Sequence, residues 1–325
     1  MNWERIDWKS LERLRAAFLE GTAGARDYWR SESDLASYDQ TFGARIAWKW
    51  HYVLRELRQR GWSPPSGEVL DWGCGSGVAG RAFLRQFRAD AVQGLALHDR
   101  SALATRFAAR AAESEFPGLP VRVSPEAEPG TLLLSHVLTE MTPAQVDELV
   151  ALAGKAVAVI WVEPGTYDTS RVLIGVRERL RGAFNVVAPC VHQAACGMTT
   201  PENARHWCHH FAPSPPEVFT DSNWARFASL TGIDLHSLPL SFLVLDRRPA
   251  PALPPGAVRV IGHPRVYKAH ALLLGCDATG VQERQVTKRA LPEAFRQLKK
   301  GRAPALQVWR TDGSDVTSIN SFATD

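Results

Sequence analysis

Apolar positions in the first 60 residues recur with a helical period. Ile6, Leu11, Leu14 and Phe18 form one series, and Ile46, Trp50, Val53, Leu54 and Leu57 follow an i, i+4, i+7, i+8, i+11 stripe. Such spacing predicts amphipathic helices that bury one face. The tryptophans of Arg45-Ile-Ala-Trp-Lys-Trp50 are expected to pack against a neighbouring sheet, with an RNA-facing role as the alternative. The stretch Gly61-Trp-Ser-Pro-Pro-Ser-Gly67 ends the helical pattern. Beyond it, short apolar runs of strand length at 91–99, 131–137 and 156–164 alternate with helical segments at 101–113 and 143–153, and a late strand is predicted at 240–247. Alternation of this kind predicts an α/β fold with a parallel sheet covered on both faces.

Pro249-Ala-Pro-Ala-Leu-Pro-Pro-Gly256 reads as a linker. Strand character returns at 257–261, 269–276 and 283–288, separated by turns such as Asp277-Ala-Thr-Gly280. The predicted organisation is therefore an N-terminal helical region (1–62), an α/β domain (63–248) with a Cys-rich insertion at 188–215, and a small C-terminal β-rich appendix (249–325).

Composition narrows the class. The 325 residues carry ordinary apolar and charged fractions, which speaks against disorder. No apolar run approaches the roughly 18 residues of a spanning helix, so no membrane role is expected. Five cysteines without an export signal predict reduced thiols, a cytoplasmic location and no disulfide framework. A monomer is expected. The net charge of +4 is unevenly placed: residues 250–310 hold eleven Lys and Arg against Asp277, Glu283 and Glu293. Lys288, Arg289, Lys299, Lys300 and Arg302 are the candidate phosphate contacts of a nucleic-acid footprint.

The chemistry concentrates in two places. Val69-Leu70-Asp71 ends an apolar strand, and Gly73, Gly75 and Gly77 allow a sharp turn and close ligand approach. The helix that follows offers its N-terminal amides. Asp99, at the end of the next strand, can accept from both hydroxyls of a ribose. Val78 stands where a dinucleotide motif needs its third glycine, and the acid two residues before Gly73 is the form found in S-adenosylmethionine sites. Asp71, Gly73, Gly75, Gly77 and Asp99 are thus the candidate cofactor residues. No catalytic residue is named by the sequence. The fourth strand ends Ser135-His-Val-Leu-Thr-Glu140, without the Asn/Asp-Pro-Pro-Tyr of many amino-methylating enzymes, and His136 and Glu140 are candidates only for a structural or acid–base role.

The second place is a constellation of cysteines. Cys190, Cys196 and Cys208 lie in the irregular insertion, and Cys276 ends a strand of the appendix. Four such thiols can close one inorganic shell and fasten the appendix. Zinc would take all four, or three with His192, His206, His209 or His210; an iron–sulfur cluster would take four thiolates.

Several segments together resemble the family of methyltransferase-like protein seventeen, a mitochondrial small-ribosomal-subunit assembly family. They are Asp34-Leu-Ala-Ser-Tyr38 with Phe42-Gly43, Leu70-Asp-Trp-Gly-Cys-Gly-Ser-Gly77, Glu163-Pro-Gly-Thr166, Ala188-Pro-Cys-Val-His192, Trp207-Cys208-His209, Ser241-Phe-Leu-Val-Leu245, and Gly262-His263 through Gly275-Cys276 with Val286-Thr-Lys288. Tyr167 and Val191 depart from the family pattern, where prolines are common, without removing a ligand. The resemblance implies a Rossmann-like methyltransferase fold. It further implies a four-iron, four-sulfur cluster on Cys190, Cys196, Cys208 and Cys276, and association with the small ribosomal subunit and its rRNA. A catalytically active rRNA methyltransferase is the alternative expectation, and a small-molecule methyltransferase with a zinc-stapled lid the third.

Overall fold

The computed structural model describes residues 2–20, 27–124 and 128–322, and the last three residues of the predicted appendix lie outside that set. The chain divides into two compact units. The first comprises 1–56, 63–163 and 211–240, and the second 57–62, 164–210 and 241–325.

The first unit opens with α1 (Trp8–Leu19), α2 (Glu32–Tyr38) and α3 (Ala44–Gln59), a π-helical turn at Asp39–Gly43 joining the last two. Asp7 caps α1 by accepting from Ser10 N, and Ser31 caps α2 by accepting from Asp34 N, which fixes where each helix starts. The predicted stripe is the packed face of α3: Trp50, Val53, Leu54 and Leu57 are fully buried. Trp50 Nε1 donates to Ser135 Oγ at 2.9 Å, and Trp48 packs on Trp224 at 5.1 Å between ring centres. These tryptophans are therefore packing residues.

The sheet of this unit is parallel, in the order β3-β2-β1-β4-β5, from β1 (Glu68–Trp72), β2 (Gly94–His98), β3 (Val121–Val123), β4 (Thr131–Ser135) and β5 (Ala158–Pro164). Its strands are almost wholly buried, as expected where helices cover a parallel sheet. Helix α4 (Val78–Phe87) packs on β1 and β4, α5 (Ala102–Glu115) packs on β2 and β3, and α6 (Pro143–Ala153) starts at a Thr142/Gln145 capping box. Strand β4 is two residues shorter than its apolar run suggested. His136 takes φ +56°, which turns the chain out of the sheet. No described helix is long and apolar enough to cross a membrane.

The second unit carries α7 (Tyr167–Leu180), β6 (Asn185–Ala188) and the insertion that leads to β7 (His210–Ala212). The first unit contributes α8 (Glu217–Thr220) and α9 (Ser222–Thr231) before β8 (Leu238–Asp246), which pairs antiparallel with β6. Beyond the linker, β9 (Ala257–Val266), β10 (His270–Asp277), β11 (Gly280–Thr287), β12 (Leu306–Asp312) and β13 (Asp315–Ser321) close a barrel in the order β10-β11-β13-β12-β9. Only the β11–β13 pair is parallel among the described barrel ladders. Helix α10 (Pro292–Lys299) joins the third and fourth barrel strands and inserts Phe295 and Leu298 among Val258, Ala271, Leu273 and Trp309. Gly275 leaves room for Trp309, whose ring lies 2.7 Å from where a Cβ would stand. The β-rich appendix is thus a barrel, completed by two strands and a helix that the apolar pattern alone did not mark.

Candidate functional site

Unit 1 builds a cradle at the carboxyl ends of β1 and β2. The amides of Gly73 and Cys74 donate to His98 O at 2.8 and 3.0 Å, tying the loop to the neighbouring strand. Gly73, Gly75 and Gly77 all have positive φ (+70°, +52° and +79°). Their surroundings differ. A Cβ on Gly73 would meet Val137 at 2.7 Å and one on Gly77 would meet Ala108 at 2.9 Å, whereas one on Gly75 would meet nothing within 4 Å. The loop is closely packed on two sides and open at its middle.

The two acids divide the work. Asp71 is fully buried, and its Oδ2 accepts from Gly80 N at 2.8 Å, bracing the first turn of α4. Its Oδ1 has no hydrogen-bond partner among the described residues. Burial pushes the Asp71 carboxyl up to about 7, with the nearby Asp99 charge adding to the effect. Asp99 is half-buried and accepts from Gly75 N at 2.9 Å through Oδ2 and from Ser101 N at 2.8 Å through Oδ1. Each oxygen retains a second lone pair for a ligand hydroxyl. Asp71 therefore shapes the loop from beneath, and Asp99 is the carboxylate at the open edge.

Next to this cradle is a buried polar network that sequence reasoning did not assemble. Lys49, on the packed face of α3, places Nζ 3.3 Å from His136 Nε2. His136 Nδ1 lies 3.4 Å from Ser135 Oγ. Glu163, at the end of β5, accepts through Oε1 from Val137 N, Leu138 N and Trp161 Nε1 at 3.0, 3.2 and 2.7 Å. Burial pulls Lys49 down to about 7 and pushes Glu163 up to about 7, and it holds His136 well below the usual imidazole range. The one signal in the sequence was a lysine directly beside Trp50 on the apolar stripe of α3. Glu140, the other acid of this region, meets the Tyr28 hydroxyl and Arg100, each at 3.5 Å.

All four candidate metal ligands fall in unit 2. Cys196 and Cys276 share an apolar cluster with Ile174, Met198, Ile261 and Val281, and Cys208 packs against it. Burial raises the thiols of Cys196, Cys208 and Cys276, and the neighbouring Cys190 raises all three further. The structure thus brings Cys196, Cys208 and Cys276 together, although 68 residues separate Cys208 from Cys276 in the chain, and Cys190 lies near enough to act on them electrostatically. Among the described residues, no group of three or more His, Cys, Asp or Glu is spaced as the ligands of a single metal ion.

The cysteine loop is held from one face of α7. Ser170, Ile174, Arg177 and Glu178 follow i, i+4, i+7, i+8, and the polar members reach the loop backbone. Ser170 Oγ donates to Cys208 O at 2.8 Å, Arg177 Nη2 to Ala194 O at 2.8 Å, and Glu178 Oε1 accepts from Cys196 N at 3.1 Å. Arg177 Nε also points at Cys190 Sγ, 3.3 Å away. Two of the four candidate histidines stand beside thiols: His192 Nε2 is 3.6 Å from Cys276 Sγ, and His210 Nε2 is 3.6 Å from Cys208 Sγ. His206 instead meets Arg205, and His209 stacks on Trp207. Buried Arg60 gathers the carbonyls of Val187, Pro189 and Cys190 within 2.9 Å. Cys190 lines a cavity of about 430 Å³ walled by the proline linker. Sequence reasoning missed Arg60, Arg177 and Glu178, and the polar residues on the α7 stripe were the only trace of the last two.

The five basic candidates lie on the barrel, in the segment following β11 and at the end of α10, and all are exposed.

Comparison with known proteins adds the family. No curated protein matches the chain. Among solved structures, the plantazolicin methyltransferase BamL, bound to a substrate analogue and S-adenosylhomocysteine, is 12% identical and covers 73% of this chain and 98% of its own, with a TM-score of 0.40. A SAM-dependent methyltransferase from Leishmania major is 13% identical, covering 70% and 82%, with a TM-score of 0.37. TrmK from M. capricolum, bound to S-adenosylhomocysteine, is 7% identical, covering 60% and 69%, with a TM-score of 0.33. The fold assignment rests on the strand order and the glycine turn, which are those of a Rossmann-like methyltransferase. The family profile described as mitochondrial small ribosomal subunit Rsm22 matches residues 100–303, well over half of the sequence, and the chain belongs to that family.

Proposed function

We propose that the protein binds S-adenosylmethionine in unit 1, holds a four-iron, four-sulfur cluster in unit 2, and acts on the small ribosomal subunit during its assembly or in translation. The observation that carries this reading is the clustering of Cys196, Cys208 and Cys276, with Cys190 near enough to act on them electrostatically, in a chain whose other unit offers an open glycine cradle. The donor set fits the group. Four thiols suit an iron–sulfur cluster, and Arg177 beside Cys190 supplies positive charge against the negative charge of thiolate ligation. When bound, the cluster would cross-link the insertion to β10 and supply folding energy to a region whose own apolar core is small. The family name supports association with the small subunit, and the exposed Lys288, Arg289, Lys299, Lys300 and Arg302 are the residues that would neutralise rRNA phosphates.

In the cradle, Gly75 would let the cofactor approach the backbone. Asp99 would accept from the ribose, and the α4 amides would face the ligand's anionic end. A second reading, transfer of the methyl group to rRNA, is favoured by the Lys49–His136 pair. An amine drawn down to about 7 beside an imidazole can take up a proton at neutral pH.

Anaerobic purification with iron, sulfide and zinc analysis tests the cluster; about four irons and as many sulfides per chain are expected. One zinc without sulfide, and no co-sedimentation with small subunits, would instead favour a metabolite methyltransferase with a stapled lid. Mapping rRNA methylation with and without the gene separates the remaining readings. Loss of one mark means catalysis, and an unchanged map with defective subunits means a scaffold.

A further inference from the structure

The barrel of unit 2 has a topology of its own. Its strands run β9-β10-β11-β13-β12 and close back on β9, the third and fifth pair in parallel, and a helix joins the third to the fourth. This is the arrangement of the OB-fold, a barrel whose second and third strands and adjoining loops commonly bind oligonucleotides. Fold alone does not assign a ligand, so the loops must carry the argument.

The loop between the first two strands is Tyr267-Lys268-Ala269. Tyr267 is 49% exposed, and its ring lies parallel to that of His270, 4.8 Å away with 22° between planes. The loop is short and pinned, with Tyr267 N donating to His270 O and Lys288 N to Ala269 O, both at 2.8 Å. An exposed ring held flat on a pinned loop contributes little to the barrel core, which is built from other residues. It is a ready surface for a base, because every base presents a π-face. Beside it opens a cavity of about 540 Å³ lined by Tyr267, Lys268, Lys288, Arg296, Lys299 and the aliphatic and aromatic residues of α10. Glu293 also lines it, but that acid is engaged by Arg296 and by Gln297 Nε2 at 2.7 Å. Three exposed lysines therefore remain to face a ligand. The cavity runs from the tyrosine loop to α10, which gives the path a bound polyanion would follow.

We propose that this loop and cavity form a binding site for single-stranded RNA. One base stacks on Tyr267, and the adjoining phosphates lie against Lys268, Lys288 and Lys299. The inference deepens the RNA-facing reading above and rests on it for the nature of the nucleic acid. Duplex RNA would bind poorly, since its bases are already stacked and cannot reach the ring.

The test is fluorescence anisotropy of the full-length protein with a labelled single-stranded RNA of about twelve nucleotides and its duplex form, across a salt series. Tyr267→Ala should weaken single-strand binding about tenfold while Tyr267→Phe leaves it nearly unchanged, because the ring and not the hydroxyl stacks. Lys288→Ala with Lys299→Ala should weaken binding and flatten its salt dependence. Wild-type affinity in Tyr267→Ala, with the lysine variant impaired, overturns the stacking site and leaves the basic footprint standing. Equal affinity for duplex also overturns it. No RNA binding at low salt removes the RNA-facing reading together with this one.

Discussion

Lys49 occupies an unusual position for a lysine, 6% exposed on the packed face of α3 with its amine on His136. Burial removes water from the ammonium, and the nearby Arg45 charge adds to the cost, so the folded protein releases this proton at about 7. The unfolded chain keeps it to the ordinary lysine range. Between those two values the unfolded state binds more protons than the folded one, so stability contributed by this residue rises with pH. Urea denaturation of the wild type should gain of order 3 kcal/mol from Lys49 between about pH 7 and 10, and Lys49→Met should lack that share of the slope. Identical pH profiles for the two proteins would mean that Lys49 stays charged in the fold, and the proton-accepting role suggested for it would fall. The same low polarity that makes this lysine costly is what the proposed proton-accepting role would draw on. The structural evidence for that use is its place beside His136, where the chain leaves β4 with φ +56°.

At the scale of elements, the glycine loop and the start of α4 work as one piece. The loop's left-handed residues make the turn, and Asp71 locks the first helical turn through Gly80 N. Gly77 is needed for packing as well as conformation, because Ala108 of α5 sits against it. Gly75 is needed for conformation and for an empty space. Alanine at either site carries about 1–2 kcal/mol of left-handed strain, and at Gly77 the contact with Ala108 adds about 1–3 kcal/mol more. Thermal melts should therefore rank Gly77→Ala as the less stable variant. Calorimetric titration with S-adenosylmethionine should show Gly75→Ala binding at least about tenfold more weakly than the wild type despite its smaller loss of stability. Undiminished binding by Gly75→Ala would move the cofactor site elsewhere. Helix α7 is a comparable device in the second unit: one face carries Ser170, Arg177 and Glu178 to the backbone of the cysteine loop and so shapes the loop.

For the whole molecule, the division of the chain matters more than its length. Cofactor candidates fall in the first unit and all four cysteine candidates in the second, although the second is assembled from three separate stretches of sequence. Cys276 belongs to the barrel, and Cys190, Cys196 and Cys208 to the insertion. Removing one ligand should thus be felt locally. Cys276→Ser is expected to abolish the visible absorption of the proposed cluster and to lower the unfolding temperature of the barrel, followed through limited proteolysis beyond residue 250. Affinity for S-adenosylmethionine should stay within about twofold, since the two sites are built from residues of separately packed units and share no residue. A collapse of cofactor binding in that variant would show the two units to be energetically coupled.

Local order was legible without coordinates wherever one periodicity dominated. The α3 stripe, the buried parallel strands and the Gly73–Gly77 turn follow from spacing, because a side chain's neighbours along a helix or strand are fixed by 3.6- and 2-residue repeats. The cysteines could be nominated, since thiols in an irregular loop have few other uses, but their order in the chain does not specify distance. Only tertiary structure put Cys276 in one cluster with Cys196 and Cys208, Lys49 against His136, Arg177 beside Cys190, and Tyr267 on a pinned loop next to a basic cavity. The β12 and β13 strands were hidden for the same reason. They pair with each other as a local hairpin, but the β12–β9 and β11–β13 pairings that fix them in the sheet are long-range choices made by barrel closure. What the sequence by itself determined was which residues were chemically equipped; which of them meet was decided by packing, because contacts between distant segments depend on how the whole chain buries its apolar surface.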